Sequence, residues 1–150
     1  MKEFDEKGLR LAKTQGNIFV ESLDRYKCSS SYFVKRYMNS EICYKIDKEN
    51  EINVAEVFDE LENIYKLDRG NIKINTDTMY WMGYIYRYWA YVFELSSKEI
   101  YKIISGNELA QLFEPYHTLD PELAIRRIYE ERNIKPEKDL LQILKRIYML

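Results

Sequence analysis

The side chains best suited to catalysis or to transition metals are few: one histidine, His117, and two cysteines, Cys28 and Cys43. A catalytic zinc takes three protein ligands rich in His or Cys. These three supply the number, but their spacing follows no ligand pattern, and neither a metal nor a cofactor is expected. Neither cysteine belongs to a CxxC pair or has a nearby cluster of bases to lower its pKa. Both therefore read as free thiols filling half-buried space. Glu130 and Glu131 are adjacent and so do not share a helical face, which marks them as surface charges rather than an acid–base pair. No Walker loop, GxGxxG, HExxH or GxSxG motif occurs, and the five glycines are scattered. His117 lies in the run Tyr116-His117-Thr118-Leu119-Asp120. It reads as a loop residue bonded to its neighbours, with a pH-sensitive contact or a general base as the alternatives. A catalytic role would require a nucleophile or orienting partner beside it, so no enzyme is expected.

Recognition is the chemistry better represented. The run TMYWMGYIYRYWAYVFEL holds five Tyr, two Trp and one Phe in eighteen residues. Tyr80, Tyr84 and Tyr88 recur every four residues, with Trp81, Ile85, Trp89 and Val92 alongside. Such a helix is apolar nearly all round, with Arg87 its lone interior charge, and it belongs in a core or at an interface. The core reading is the commoner one for a stripe of this kind. The interface reading rests on Tyr, Trp and Arg, the residues that dominate binding hot spots. Arg87 is expected to stack on an aromatic face or to pair with a carboxylate. The partner-binding candidates are Tyr80, Trp81, Tyr84, Arg87, Tyr88 and Trp89, with Tyr116, His117 and Asp120 as secondary contacts. Aromatics beside an arginine can also stack on single-stranded bases, a reading weakened by the acidic total and the lack of a basic run.

These residues need a scaffold, and 150 residues supply about one domain. The 46% hydrophobic and 32% charged content is that of a globular chain. Lys and Arg number 23 against 25 Asp and Glu, a net charge of −2. That balance argues against a strongly basic nucleic-acid binder and leaves room for a local patch. Residues 41–68 are the polarised part, with three basic and nine acidic side chains. They read as a solvated helix face, or alternatively as an acidic patch for a basic partner. No run of about eighteen apolar residues exists to span a membrane, and the charged N-terminus lacks a signal peptide's apolar stretch. A cytoplasmic protein is expected.

Apolar spacings of three and four predict helices along most of the chain. A first stripe runs from Phe4 to Tyr26, with Gly16 and Asn17 as a potential break. Ser29 to Ser31 offer caps for a helix bearing Phe33, Val34, Tyr37 and Met38. Ile42, Cys43 and Ile46 follow, and Asp47 to Asn53 read as a charged loop. The clearest stripe is Val54, Val57, Phe58, Leu61, Ile64 and Tyr65, ended by Asp68 to Asn71. Ile72 to Asn75 alternate and read as an extended linker. Thr76 or Asp77 should cap the aromatic helix, and Ser96 with Glu99 should form a capping box. Ser105 to Asn107 should close that short helix, and Pro115 should stop the next one. Asp120 and Pro121 should open a helix with Leu123, Ala124, Ile125, Ile128 and Tyr129 facing inward. Pro136 should begin the last, burying Leu140, Leu141, Ile143, Leu144 and Ile147. The expected architecture is a single all-α domain, residues 1–150, of about six to eight helices around the aromatic one.

The stretches MYWMGYIYRYWAYVFELSSKEIYKI and PYHTLDPELAIRRI, with SSSYFVKRYMNSEICYKID before them, resemble a group of small Firmicutes proteins associated with toxin–antitoxin modules, on the antitoxin side. The resemblance covers roughly residues 28–130 and brings no known functional residues. It implies a noncatalytic, partner-binding role: neutralising a cognate toxin by covering its active surface. A helix-turn-helix DNA-binding regulator built on residues 84–113 is the alternative, with Lys98, Glu99 and Lys102 as a thin recognition face. A mobile-element inhibitor of a host defence protein is a third reading. A homodimer that covers one face of the aromatic helix would explain the same residues.

Overall fold

The computed structural model describes residues 1–134. Among them are nine helices and no strand: α1 (Glu6–Arg25), α2 (Ser30–Met38), α3 (Glu41–Glu49), α4 (Val54–Ile64), α5 (Thr76–Phe93), α6 (Ser97–Ile103), α7 (Gly106–Gln111), α8 (Phe113–Tyr116) and α9 (Pro121–Glu131). The all-α reading holds, and the extra helix comes from the segment after α5, which folds as three short pieces. The helix expected from Pro136 lies outside the described residues. The chain forms two compact units, Met1–Pro115 and a second that begins at Tyr116.

Every helix except α8 starts on a side chain that accepts a backbone N–H. The caps are Asp5, Ser29, Ser40, Asn53, Asn75, Ser96, Ser105 and Asp120. Each such cap contributes about 1 kcal/mol by satisfying an otherwise orphaned donor. Several expected boundaries shift. Asn75, rather than Thr76 or Asp77, caps α5. Ser105 opens α7 instead of closing α6, and it makes the reciprocal capping box with Glu108. The Glu99 carboxylate instead accepts from the Ser96 hydroxyl at 3.0 Å. Gly16 and Asn17 do not interrupt α1. Asp47 and Lys48 belong to α3 rather than to a loop. Helix α4 ends at Ile64, several residues before the expected turn.

In the first unit α1 lies antiparallel along α5, Gly8 facing Tyr91 and Gly16 facing Tyr80. At Gly83 the backbones nearly touch. A Cβ there would sit 2.6 Å from the Gln15 carbonyl oxygen and 2.9 Å from the Gly16 Cα. Only glycine permits that approach, which the aromatic run would otherwise prevent. Helices α2, α3, α6 and α7 pack around this pair. The core between them is aromatic and aliphatic: Phe19, Phe33, Tyr37, Met82, Tyr86 and Trp89 are all essentially solvent-free. Phe19 stacks edge-on with Tyr37 at 5.3 Å and with Tyr86 at 6.4 Å.

Residues 65–75 are irregular but tied to the start of α2. The Ser29 and Ser30 amides donate to the Arg69 and Ile72 carbonyls at 2.8 and 3.0 Å. Gly70 turns there in the left-handed region, φ 73°. The expected extended linker is thus a fastened segment, because the amides of the α2 cap and of its first residue would otherwise lack acceptors.

In the second unit Asp120 caps α9 by accepting from the Glu122 amide at 3.0 Å, with Pro121 in the first turn. Ala124, Ile125, Ile128 and Tyr129 are buried as expected, whereas Leu123 is exposed. Leu123 falls off the inward stripe because 124, 125, 128 and 129 already fill the i, i+1, i+4, i+5 face.

Candidate functional site

Arg87 organises the interior. Its Nε donates to Gln15 Oε1 at 2.9 Å and its Nη1 to Asp47 Oδ1 at 2.6 Å. Its Nη2 donates to Cys43 Sγ at 3.4 Å and to Ser97 Oγ at 3.3 Å. Tyr37 donates to the same Gln15 oxygen at 2.6 Å, and Gln15 Nε2 donates to the Gly83 carbonyl at 2.8 Å. Asp47 also accepts from the Ser97 amide and hydroxyl, both at 2.7 Å. Five helices, α1, α2, α3, α5 and α6, thus meet on one guanidinium. The Arg87 and Asp47 side chains are only 1% and 8% exposed. Burial of an ion pair is tolerable only when the remaining donors and acceptors are satisfied. Here no buried side-chain N or O among the described residues lacks a partner.

The electrostatics follow from that burial. Desolvation pushes the Cys43 thiol up to about 11 against the pull of Arg87. Burial also raises Tyr37. Burial opposes the Arg87 charge, but the acidic groups of Cys43, Tyr37 and Asp47 outweigh it and hold the guanidinium above its ordinary range. Cys28 is likewise raised by burial. Both cysteines are free and buried. Thiols held in this state are poor nucleophiles at neutral pH.

Of the two expectations for Arg87, pairing with a carboxylate is the one realised. Its partners Gln15, Asp47 and Ser97 escaped the sequence reading, yet the first two left a trace. Gln15 interrupts the buried stripe Leu11, Ala12, Ile18, Phe19 of α1. Asp47 lies four residues after Cys43, on the inward side of α3. A polar residue on an apolar stripe was the available signal.

The partner-binding candidates separate into two sets. Arg87 and Trp89 are core residues at 1% and 0% exposure, and Tyr88 is buried at 7%. They are corrected from surface anchors to interior residues, since α5 is enclosed over most of its circumference. Tyr80, Trp81 and Tyr84 are half-buried, on the least enclosed side of the helix. Tyr80 and Tyr84 lie 6.2 Å apart, Phe4 meets Tyr84 edge-on at 6.3 Å, and Trp81 meets Phe113 edge-on at 5.8 Å. Phe4 and Phe113, also half-buried, extend the aromatic strip beyond α5. In the second unit Tyr116 is a further correction: it is buried, and its hydroxyl donates to the Glu131 carboxylate. His117 and Asp120 are exposed, Asp120 serving as the α9 cap.

Lys98, Glu99 and Lys102 of the helix-turn-helix reading are exposed on α6, a helix of seven residues. The acidic segment is largely solvated, with Glu56 and Glu62 held by Lys45 and Arg25 at 2.9 and 2.8 Å. No group of three His, Cys, Asp or Glu side chains able to hold a metal occurs among the described residues. No described helix is long and apolar enough to cross a membrane. Comparison with family models, with curated proteins and with solved structures found no match.

Proposed function

We propose that this protein is a noncatalytic binding module that docks a protein partner on the half-buried aromatic side of α5, in the manner expected of an antitoxin covering its toxin. The observation that carries the reading is the strip Tyr80, Trp81 and Tyr84, left half-buried at the surface of an otherwise enclosed helix. Such side chains present large apolar area with polar tips and lose little entropy on binding. The helix beneath them is fixed by the Gly83 contact and the Arg87 bonds, so the strip is preorganised.

The test is coexpression with the product of the adjacent gene, read as growth and as copurification at fixed stoichiometry. Trp81→Ala with Tyr84→Ala should abolish both the complex and the neutralisation while melting within a few degrees of the parent. Trp89→Ala, a core truncation, should instead destabilise by about 3–5 kcal/mol. Absence of a complex, or a Trp81/Tyr84 variant that still binds as the parent does, would overturn the reading.

A further inference from the structure

We infer that the outer face of α2, with the segment that follows α4, is a binding site for single-stranded nucleic acid. It uses none of the α5 residues and stands independently of the docking reading.

Three observations carry it. The first is charge. Lys35, Arg36, Lys66 and Arg69 gather there, with Asp68 the one carboxylate among the lining residues and Glu108 near Tyr101, in a chain whose net charge is −2. Among the described residues the ion pairs involve Arg25, Lys45, Arg87 and Arg126, and Lys35, Arg36, Lys66 and Arg69 take part in none. Their attraction for anions is unspent.

The second is the gathering of guanidinium groups over tyrosine rings. The Arg36 guanidinium lies 5.1 Å from the Tyr32 ring centroid and 5.0 Å from that of Tyr65. Arg69 lies 5.9 Å from Tyr32. Arg36 Nε donates to the Tyr32 hydroxyl at 3.2 Å, which orients the guanidinium and leaves its terminal amino groups without a described acceptor. Bases stack on tyrosine rings and on guanidinium planes, and terminal guanidinium N–H groups take phosphate oxygens in pairs.

The third is shape. A concavity of 580 Å³ holds Arg36, Tyr65 and Lys66, and one of 310 Å³ holds Lys35 and Tyr101; Tyr32 and Arg69 line both. The groove therefore runs past three tyrosines, with cations between them. It is fixed in advance, because Ser29 and Ser30 bond the carbonyls of Arg69 and Ile72 and the Lys73 ammonium donates to the carbonyls of Tyr26 and Cys28 at 2.5 and 2.7 Å. An acidic peptide would satisfy the charge but would leave the stacked rings unused, which favours the nucleic acid.

The experiment is fluorescence anisotropy on the full chain, with fluorescein-labelled single strands of about eight nucleotides as RNA and as DNA, over a salt series. Saturable binding is expected, with log K falling by about 2–3 per log unit of salt for three to four phosphate contacts. Arg36→Ala with Arg69→Ala should weaken binding at least tenfold and flatten that slope by about 1.4. Lys35→Glu with Lys66→Glu, on exposed side chains, should do likewise and guards against a folding defect in the arginine variant. Tyr32→Leu should cost about tenfold with the slope unchanged, since stacking is uncharged. Either sugar supports the site, and the tighter strand assigns the ligand. No saturable binding at low salt would overturn the inference. So would both charge variants binding as the parent does, or polyglutamate competing as well as the strand while Tyr32→Leu is silent.

Discussion

Replacing Arg87 by methionine keeps the aliphatic stem in the core and deletes the guanidinium. Four donated bonds vanish, to Gln15, Asp47, Cys43 and Ser97. The Gln15 oxygen still accepts from Tyr37, and Asp47 still accepts twice from Ser97. The remaining defect is a carboxylate only 8% exposed whose cation is gone. Removing one partner of a buried pair costs about 3–5 kcal/mol, and the two surviving Ser97 donors place this case near 3. At about 2–4 °C per kcal/mol for a domain of this size, the melting temperature should fall by about 6–12 °C. Urea unfolding of four proteins completes the cycle: parent, Arg87→Met, Asp47→Asn and the pair. In the parent Asp47→Asn should destabilise, because it leaves Arg87 charged and unpaired. In the Arg87→Met background it should stabilise by about 1–2 kcal/mol, because asparagine still accepts from Ser97 without a buried charge. A loss below about 1 kcal/mol for Arg87→Met, or the same sign for Asp47→Asn in both backgrounds, would refute the account of the cluster.

Three further outcomes are expected. Gly83→Ala should cost about 1–3 kcal/mol in urea unfolding, because its Cβ meets the Gln15 and Gly16 backbone, which cannot rotate aside; a neutral variant would mean that α1 and α5 can separate freely. Cys28 and Cys43 should resist a thiol reagent in the folded protein at neutral pH and both react in denaturant; rapid labelling of the native chain would place one at the surface. Acid should destabilise. The Tyr91 hydroxyl and then the Gly8 amide hold the Asp5 carboxyl below its ordinary value, and Arg25 and then Tyr26 do the same for Glu62. A lowered folded pKa gives stability that is present above the ordinary carboxylate range and lost as pH falls through the lowered value. The melting temperature should therefore drop as the pH falls below about 5, and Asp5→Asn with Glu62→Gln should flatten that drop.

The helical character was legible from spacing and punctuation alone. Ser29, Ser96 and Asp120 lie just before apolar stripes, and local capping needs no tertiary partner. The aromatic run of α5 declared itself a helix to be enclosed, since it offers almost no polar face to water. Which of its residues stay outside was not legible, because a helix apolar nearly all round has only a weak amphipathic bias to orient it. Tertiary packing alone chose that Trp89 goes in and Trp81 stays at the surface. The same holds for Arg87, whose partners lie 72, 40 and 10 residues away along the chain. Likewise, Tyr32 and Arg36 on α2 meet Tyr65 and Arg69 only because the irregular segment is bonded back onto the start of that helix. Residue type and period fix local structure, whereas contacts made across long loops depend on which chain folding brings together, and no local pattern encodes them.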